Sequence, residues 1–225
     1  MELTTLLLDG ETAVIDVPDA EELTTPVRTS VLFAAGREVE VNAGTPEAAE
    51  HFVTSTGSAL TSALTLRGGT TLRTGALGGG SGLVFLVELH PHPVFGPAPP
   101  GLSVEDLAAL LVGARMTTTA AGPRFDPRGG IEWSPYRTHD AVVPVQVRGG
   151  QRYVMDVRRA FTPGRPGEAG SGRRVAGGRL SRSAPEEGRH VILEAPDHVV
   201  YGIPLPETDL DVLVGSMSQV QVRRG

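Results

Sequence analysis

The sequence predicts a mainly β protein, a sandwich or barrel-like fold of several hairpins with two or three short helices. Three observations predict this class. Short apolar runs, alternating or continuous, are separated by glycine-rich turns along the 225 residues. Only two segments carry helix-start signals. Strands and helices do not alternate as they would in a parallel α/β fold.

Turn dipeptides divide the apolar runs into hairpins. The first run, LTTLLLDGETAVIDV, turns at Asp9-Gly10, and later runs turn at Gly68-Gly69, at Gly149-Gly150 and around Pro196-Asp197. Further strands are predicted at RTSVLFA, REVEVN and GLVFLVEL, and LDVLV and SQVQVRR are interpreted as strands that close the chain. Pro144 cannot donate a ladder hydrogen bond, so its strand is predicted to be an edge or to be bulged there.

Two segments are predicted to be helical. Thr45 before Pro46 gives a cap and a first-turn proline, leading into AAEHFVTS. Ser103 followed by Asp106 resembles a capping box, and the apolar residues of VEDLAALLV then share one stripe up to Gly113. Both predicted helices are short.

The chain is predicted to be one β-rich domain over residues 1–225, interrupted by a loop at 158–189. That loop is rich in Gly, Pro and Ser and holds eight arginines against three glutamates, a net charge of +5. Since the whole chain carries −6, the remainder carries −11. We expect the loop to be poorly ordered in the isolated chain. No internal repeat of fixed period is found.

Composition excludes several chemistries. The chain has no cysteine, which excludes disulfides, thiolate metal sites and cysteine nucleophiles. All 20 basic residues are arginine, so Schiff-base and P-loop lysine chemistry are excluded as well. The acidic balance does not favour nucleic acid as a partner, and no apolar run reaches the length that crosses a bilayer. The N-terminus does not resemble a signal peptide, so a location in the cytoplasm or in an assembled particle is expected.

Two short motifs contain chemically useful side chains. Ser134, His139 and Asp140 in SPYRTHD are the candidate catalytic residues, because a histidine beside a carboxylate and a hydroxyl suits acid–base or nucleophilic catalysis. His90 and His92 are the candidate metal ligands, because residues two apart on a strand share a face. Each motif also has a structural interpretation, as a solvated turn and as the end of a strand. No cofactor is predicted.

The basic loop is the strongest candidate for an interface, with another protein surface or with phosphate; its structural interpretation is a solvated linker. Arginine forks bind carboxylates well, and the acidic remainder of the chain has the complementary charge. Trp133 and Tyr136 are candidate anchors. The predicted interface arginines are Arg158, Arg159, Arg165, Arg173, Arg174, Arg179 and Arg182. The expected partners are copies of the chain or other protein subunits.

Hairpins, strands rich in Thr, Gly and Val, few aromatic residues and a long charged arm together resemble the structural proteins of phages or phage-like particles. This resemblance is one of composition. The first hypothesis is a non-enzymatic protein that self-associates or docks into a larger assembly, with residues 158–189 as the docking arm. It rests on the lack of a complete catalytic constellation and on the opposite charges of the loop and the remainder of the chain. The alternative is a hydrolase or metal-dependent enzyme using His139 and Asp140, or His90 and His92. A second alternative, based on the missing lysines, is a translocated effector or a binding module.

Overall fold

The computed structural model describes residues 1–159, 172–183 and 188–225. The first strands are β1 (Glu2–Leu6), β2 (Thr12–Asp16), β3 (Ala20–Leu23), β4 (Val27–Ala34), β5 (Arg37–Ala43), β6 (Ser62–Thr65), β7 (Thr71–Ala76), β8 (Leu83–Val87) and β9 (Val94–Ala98). The later strands are β10 (Thr117–Thr119), β11 (Gly122–Arg124), β12 (Ile131–Trp133), β13 (Asp140–Val147), β14 (Gln151–Arg159), β15 (Arg173–Val175), β16 (Gly178–Arg182), β17 (Val191–Glu194), β18 (His198–Pro204) and β19 (Gln221–Arg224). The helices are α1 (Pro46–Ser55), α2 (Val104–Gly113) and α3 (Leu210–Met217).

The prediction of a mainly β protein with short helices is confirmed. The chain forms two compact units. Unit 1 comprises Met1–Leu7, Glu11–Pro26 and Asp140–Gly225, and unit 2 comprises Leu8–Gly10 and Val27–His139. The single domain over 1–225 stays a prediction.

Unit 1 contains an antiparallel sheet in the order β13-β14-β18-β17-β16-β15, with β3 beside β13. A smaller sheet in the order β1-β2-β19 and helix α3 complete the unit. Its core consists of alternate residues of the long strands, such as Val143, Val145, Tyr153 and Met155, with Leu213 from α3. This alternation is what a sheet with one buried face requires.

Unit 2 contains an antiparallel sheet in the order β4-β5-β9-β8-β7-β6. Strand β12 pairs with β4, and β10 pairs with β11. Its core combines Val39 and Val41 of β5 and Phe85 of β8 with Leu107 and Leu111 of α2, all of which are buried.

The two units repeat one topology. In unit 1, β13 and β14 form a hairpin, β18 pairs with β14, and β17, β16 and β15 follow outward to an edge. In unit 2, β4 and β5 form a hairpin, β9 pairs with β5, and β8, β7 and β6 follow outward to an edge. A helix follows the sixth strand in both cases, α2 after β9 and α3 after β18. Strand β6 of unit 2 therefore corresponds to β15 of unit 1. The repeat lies in strand order, and insertions of different length hide it from a search for a fixed period.

Both predicted helices are confirmed, with their caps. The Ala48 N–H donates to Thr45 Oγ1 at 3.3 Å, and the Asp106 N–H donates to Ser103 Oγ at 3.0 Å. The strand predicted at LDVLV is wrong, because this segment lies in helix α3. Asp209 caps that helix by accepting from the N–H of Asp211 at 2.7 Å.

The predicted hairpins are confirmed as β1–β2, β6–β7, β13–β14 and β17–β18. The edge predicted for the strand of Pro144 is wrong, because β13 lies between β14 and β3. Strand β3 ends at Leu23, and the Pro144 carbonyl accepts from the N–H of Thr24 at 3.1 Å. Part of the predicted loop 158–189 is ordered: residues 172–183 contain the hairpin β15–β16. Residues 160–171 and 184–187 lie outside the described residues.

Candidate functional site

The hairpin β15–β16 brings two predicted interface arginines to a sheet edge. Strand β15 pairs with β16, and among the described residues no strand pairs with its other side. Leu180 is buried and anchors the hairpin, whereas Arg173 and Arg174 are exposed. Gly178 has a φ of +147°, and a Cβ there would overlap the carbonyl oxygen of Glu194. The hairpin can therefore lie this close to β17 only with glycine at position 178.

Arg158 is held within unit 1. Its Nε and Nη2 donate to Asp156 Oδ2 at 2.9 and 2.6 Å, and its guanidinium lies 4.7 Å from the centre of the Tyr201 ring. The hydrogen bonds that Arg158 donates to Asp156 raise the pKa of Arg158, against the effect of burial. A guanidinium with a carboxylate and an aromatic ring as partners is a structural group rather than a free docking group.

Two further arginines are also paired with carboxylates of unit 1. Arg159 lies 2.7 Å from Glu11, and Arg182 lies 2.7 Å from Asp211. The Arg182 pair is solvated and contributes at most about 1 kcal/mol. Three of the eight arginines of the predicted loop are therefore paired with carboxylates of unit 1.

Arg173 and Arg174 differ from these three. Within the described residues no carboxylate forms an ion pair with either side chain. Arg179 is half-buried and lines the groove described next, and Arg165 lies outside the described residues. The edge strand β15 thus presents two adjacent cations to solvent.

A groove of about 590 Å³ lies beside this edge within unit 1. The turn Arg174–Arg179 forms one wall, Glu194–Pro196 forms the base, and strands β1, β2 and β19 supply the other wall. Arg223 of β19 and Glu2 of β1, which lie on either side of β2, form an ion pair there at 2.8 Å. The groove is mixed in charge, since both arginine and carboxylate side chains line it.

Strand β3 is the acidic counterpart of β15 in the same unit. It pairs with β13, with a register irregularity between Gln146 and Val147, and no described strand pairs with its other side. Glu21 and Glu22 are exposed, while Leu23 packs against the core. Unit 1 therefore carries one cationic and one anionic strand that each have a side with which no strand of the described residues pairs.

His139, a predicted catalytic residue, has partners that the sequence did not indicate. In unit 2 its Nδ1 lies 2.7 Å from Ser30 Oγ, and its Nε2 lies 3.4 Å from Asp9 Oδ2. The Trp133 ring meets the imidazole edge-on at 4.7 Å. The three polar groups are those of a serine hydrolase, but Ser30 is only 2% exposed. A nucleophile has to reach its substrate, so this geometry favours a structural link between segments.

The other residues of SPYRTHD have different surroundings and do not form one site with His139. Ser134 is buried and its hydroxyl hydrogen-bonds Glu38. Asp140 begins β13 and lies opposite Arg158 of β14. Tyr136 is 75% exposed, whereas Trp133 is half-buried and packs edge-on against Phe125. Trp133 thus contributes to a core, and Tyr136 is the candidate anchor that solvent can reach.

His90 and His92 lie in the loop between β8 and β9, next to a cis His90–Pro91 peptide bond. His90 is exposed and lines a cleft of about 520 Å³ beside α1. His92 is half-buried, and burial together with the charge of Arg28 lowers its pKa. Among residues 1–159, 172–183 and 188–225, no group of three or more His, Cys, Asp or Glu side chains could hold a metal ion.

A further histidine was not predicted as a site residue. His198 is 4% exposed, and its Nδ1 has no hydrogen-bond partner in the part of the chain that the structure describes. It lines a small cavity of about 80 Å³ together with Glu11, Arg159 and Arg224. Burial lowers the pKa of His198; Asp197 opposes this effect, and the two arginines add to it.

No family model, no curated protein and no solved structure matches the chain. None of the helices in the described ranges is long and apolar enough to span a membrane.

Sequence reasoning missed the partners of His139 and the acidic strand. From the sequence, Asp9 is predicted only as a turn residue and Ser30 only as part of a strand. Glu21 and Glu22 are recognisable in the sequence as two adjacent acids, but only the structure shows that they lie on a strand whose other side pairs with no described strand.

Proposed function

We propose that the protein is a non-enzymatic subunit that associates head-to-tail with copies of itself, through β15 of one copy and β3 of the next. The observation that carries the proposal is the charge of these two strands. Arg173 and Arg174 lie on β15, and Glu21 and Glu22 lie on β3; within the described part of the chain each of these strands is paired on one side only. In this proposal, β15 of the predicted loop 158–189 docks onto β3 of another copy.

Strand addition supplies main-chain hydrogen bonds, and the charges select the partner strand. Two β15 strands would place arginine against arginine, and two β3 strands would place glutamate against glutamate. Like charges on paired strands are destabilising, whereas opposite charges are favourable. The pattern therefore opposes two-fold pairing of either strand with itself and favours β15 with β3.

A contact between two different surfaces repeats from copy to copy. Such heterologous contacts produce a ring if the rotation closes and a filament if it does not. Membership of a phage or phage-like particle, which rests on composition, is compatible with either product and is part of the proposal.

Charge reversal tests the proposal. Arg173→Glu/Arg174→Glu and Glu21→Arg/Glu22→Arg should each weaken self-association at least about tenfold, because like charges then meet across the interface. The variant that combines all four substitutions should recover it. The readout is the mass distribution by native mass spectrometry and sedimentation over a concentration series.

The matched control is Arg148→Glu/Arg152→Glu, which changes the charge of the same unit equally at two exposed arginines of another hairpin. A wild-type chain that stays monomeric at all concentrations would overturn the proposal. The proposal would also be overturned if the control lost self-association as strongly as the two interface variants. The same holds if the variant with all four substitutions stayed folded but did not recover self-association.

The second candidate function is hydrolysis, and the observation that favours it is the Ser30, His139 and Asp9 arrangement. It requires a motion that exposes the Ser30 hydroxyl. Labelling by a fluorophosphonate probe that disappears in Ser30→Ala is the result that would support it.

A further inference from the structure

Strand β6 is the outer edge of the unit 2 sheet and has a definite hydrogen-bonding phase. The Leu66 N–H donates to the Thr70 carbonyl at 2.8 Å, and the Gly69 N–H donates to the Leu66 carbonyl at 3.1 Å. Residues 66 and 70 thus form a hydrogen-bonded pair, and antiparallel pairs alternate between bonded and non-bonded. It follows that Ser62 and Leu64 bond to β7.

The same alternation aims the N–H and C=O groups of Ala63 and Thr65 away from the sheet. No described strand pairs with this side of β6, and all four residues of the strand are exposed. The main chain therefore offers two free donors and two free acceptors along a short, regular edge.

Proteins usually protect such an edge with charge, proline or a bulge. Between Ser62 and Thr65, strand β6 has neither charge nor proline, and its register with β7 runs without a shift from Ser62↔Thr74 to Thr65↔Thr71. An irregularity occurs only where the strand begins, because the Thr61 N–H also donates to the Thr74 carbonyl, at 2.9 Å. The corresponding strand of unit 1, β15, carries two arginines. The two corresponding edge strands thus differ: β15 of unit 1 is charged, and β6 of unit 2 is uncharged.

We propose that the β6 strands of two copies pair antiparallel about a two-fold axis at Leu64. In this register Ala63 lies opposite Thr65 of the second copy, so the free groups of both residues are satisfied at both ends. Leu64, which is 40% exposed, lies opposite Leu64 of the second copy. The strand is uncharged, so self-pairing brings no like charges together.

A second copy is the occupant that these features favour. The axis of a two-fold pair of strands is perpendicular to the sheet, so residues of one face must meet residues of the same face. Centring on Leu64 meets this requirement and also joins the outward-facing groups. The contact is self-complementary, as an isologous interface has to be. The inference does not rest on β15 or β3.

Leu64 is the residue to change, because in the proposed register it faces Leu64 of the second copy. Leu64→Lys alone and Leu64→Glu alone should each weaken the two-fold contact at least about tenfold, since like charges then face each other. An equimolar mixture of the two variants should restore pairing. Val112→Lys is the matched control: Val112 is 39% exposed and lies on α2 of the same unit. All chains also carry Arg173→Glu/Arg174→Glu, so the β15 contact does not contribute.

A cysteine supplies a second readout, because the native chain has none. Opposed residues of a non-hydrogen-bonded pair lie within disulfide range, so Leu64→Cys should oxidise to a covalent dimer and Val112→Cys should not. In the otherwise native chain, hydrogen exchange at the Ala63 and Thr65 amides should slow as protein concentration rises. The proposal is overturned if the Lys and Glu variants fail to pair when mixed, or if exchange at both amides is independent of concentration. Protection that appears only with another protein would assign the edge to that partner instead.

Discussion

His139 Nδ1 lies 2.7 Å from Ser30 Oγ, a contact between residues 109 positions apart. With Asp9 on its other nitrogen, the imidazole ties a turn, a strand and the segment that follows β12. A hydroxyl and an imidazole that satisfy each other in a buried site contribute to stability, and removing one leaves the other unpaired.

We expect Ser30→Ala to lower the free energy of unfolding by about 1–2 kcal/mol, because His139 loses a hydrogen-bond partner away from water. Urea unfolding followed by circular dichroism measures the change. Ser62→Ala, at an exposed position, is the control and should be neutral. An unchanged midpoint for Ser30→Ala would show that this contact adds nothing to stability.

His198 makes stability depend on pH. Burial lowers its folded-state pKa below the ordinary value of about 6.5, so the folded state resists protonation. The contribution of neutral His198 to the free energy of unfolding is fully present above pH 6.5 and is lost as the pH falls toward the folded-state pKa. The midpoint of thermal unfolding should therefore fall more steeply between pH 7 and 5 in the native chain than in His198→Gln. His51→Gln, at an exposed position on α1, should retain the native slope. Equal slopes for all three chains would contradict the prediction.

Tyr153 and Ser216 form a buried pair whose two members should respond unequally to substitution. The hydroxyl oxygens are 3.0 Å apart, and Ser216 Oγ also donates to Asp19 at 2.8 Å. Burial raises the pKa of Tyr153, which keeps the phenol protonated. Tyr153→Phe leaves Ser216 with a partner and should lower the free energy of unfolding by about 1 kcal/mol. Ser216→Ala leaves the buried Tyr153 hydroxyl without this partner and should lower it by about 1–3 kcal/mol. Urea unfolding of both variants tests the order, and the reverse order would refute it.

Gly178→Ala should damage the hairpin that presents Arg173 and Arg174. The new Cβ would overlap the Glu194 carbonyl oxygen, at a φ that disfavours side chains. We expect a loss of at least about 2 kcal/mol in unfolding free energy. Gly149→Ala is the control, because Gly149 also has a positive φ of 81° but has open space around its Cβ, and it should lose about 1 kcal/mol. Equal losses would mean that close approach to β17 is unimportant.

Local features of the sequence predicted much of the secondary structure. Gly-Gly and Asp-Gly dipeptides between apolar runs marked hairpins, because their backbone preferences act over a few residues. The caps at Thr45 and Ser103 were recognisable for the same reason. The LDVLV segment was misread because its β-branched residues suit a strand, while the burial of Leu213 and Met217 one helical turn apart depends on what packs against them.

The sequence by itself determined the β class, the hairpins, two of the helices and the chemistries that the chain lacks. Only the tertiary structure decided which distant strands pair, that the two units repeat one topology, and that His139 meets Ser30 and Asp9. It also decided which charges are compensated and which remain exposed, since Arg158 has Asp156 beside it and Arg173 has no such neighbour among the described residues. The physical reason is range: turns and caps depend on neighbouring residues, whereas burial, ion pairing and free strand edges depend on residues that only the folded chain brings together.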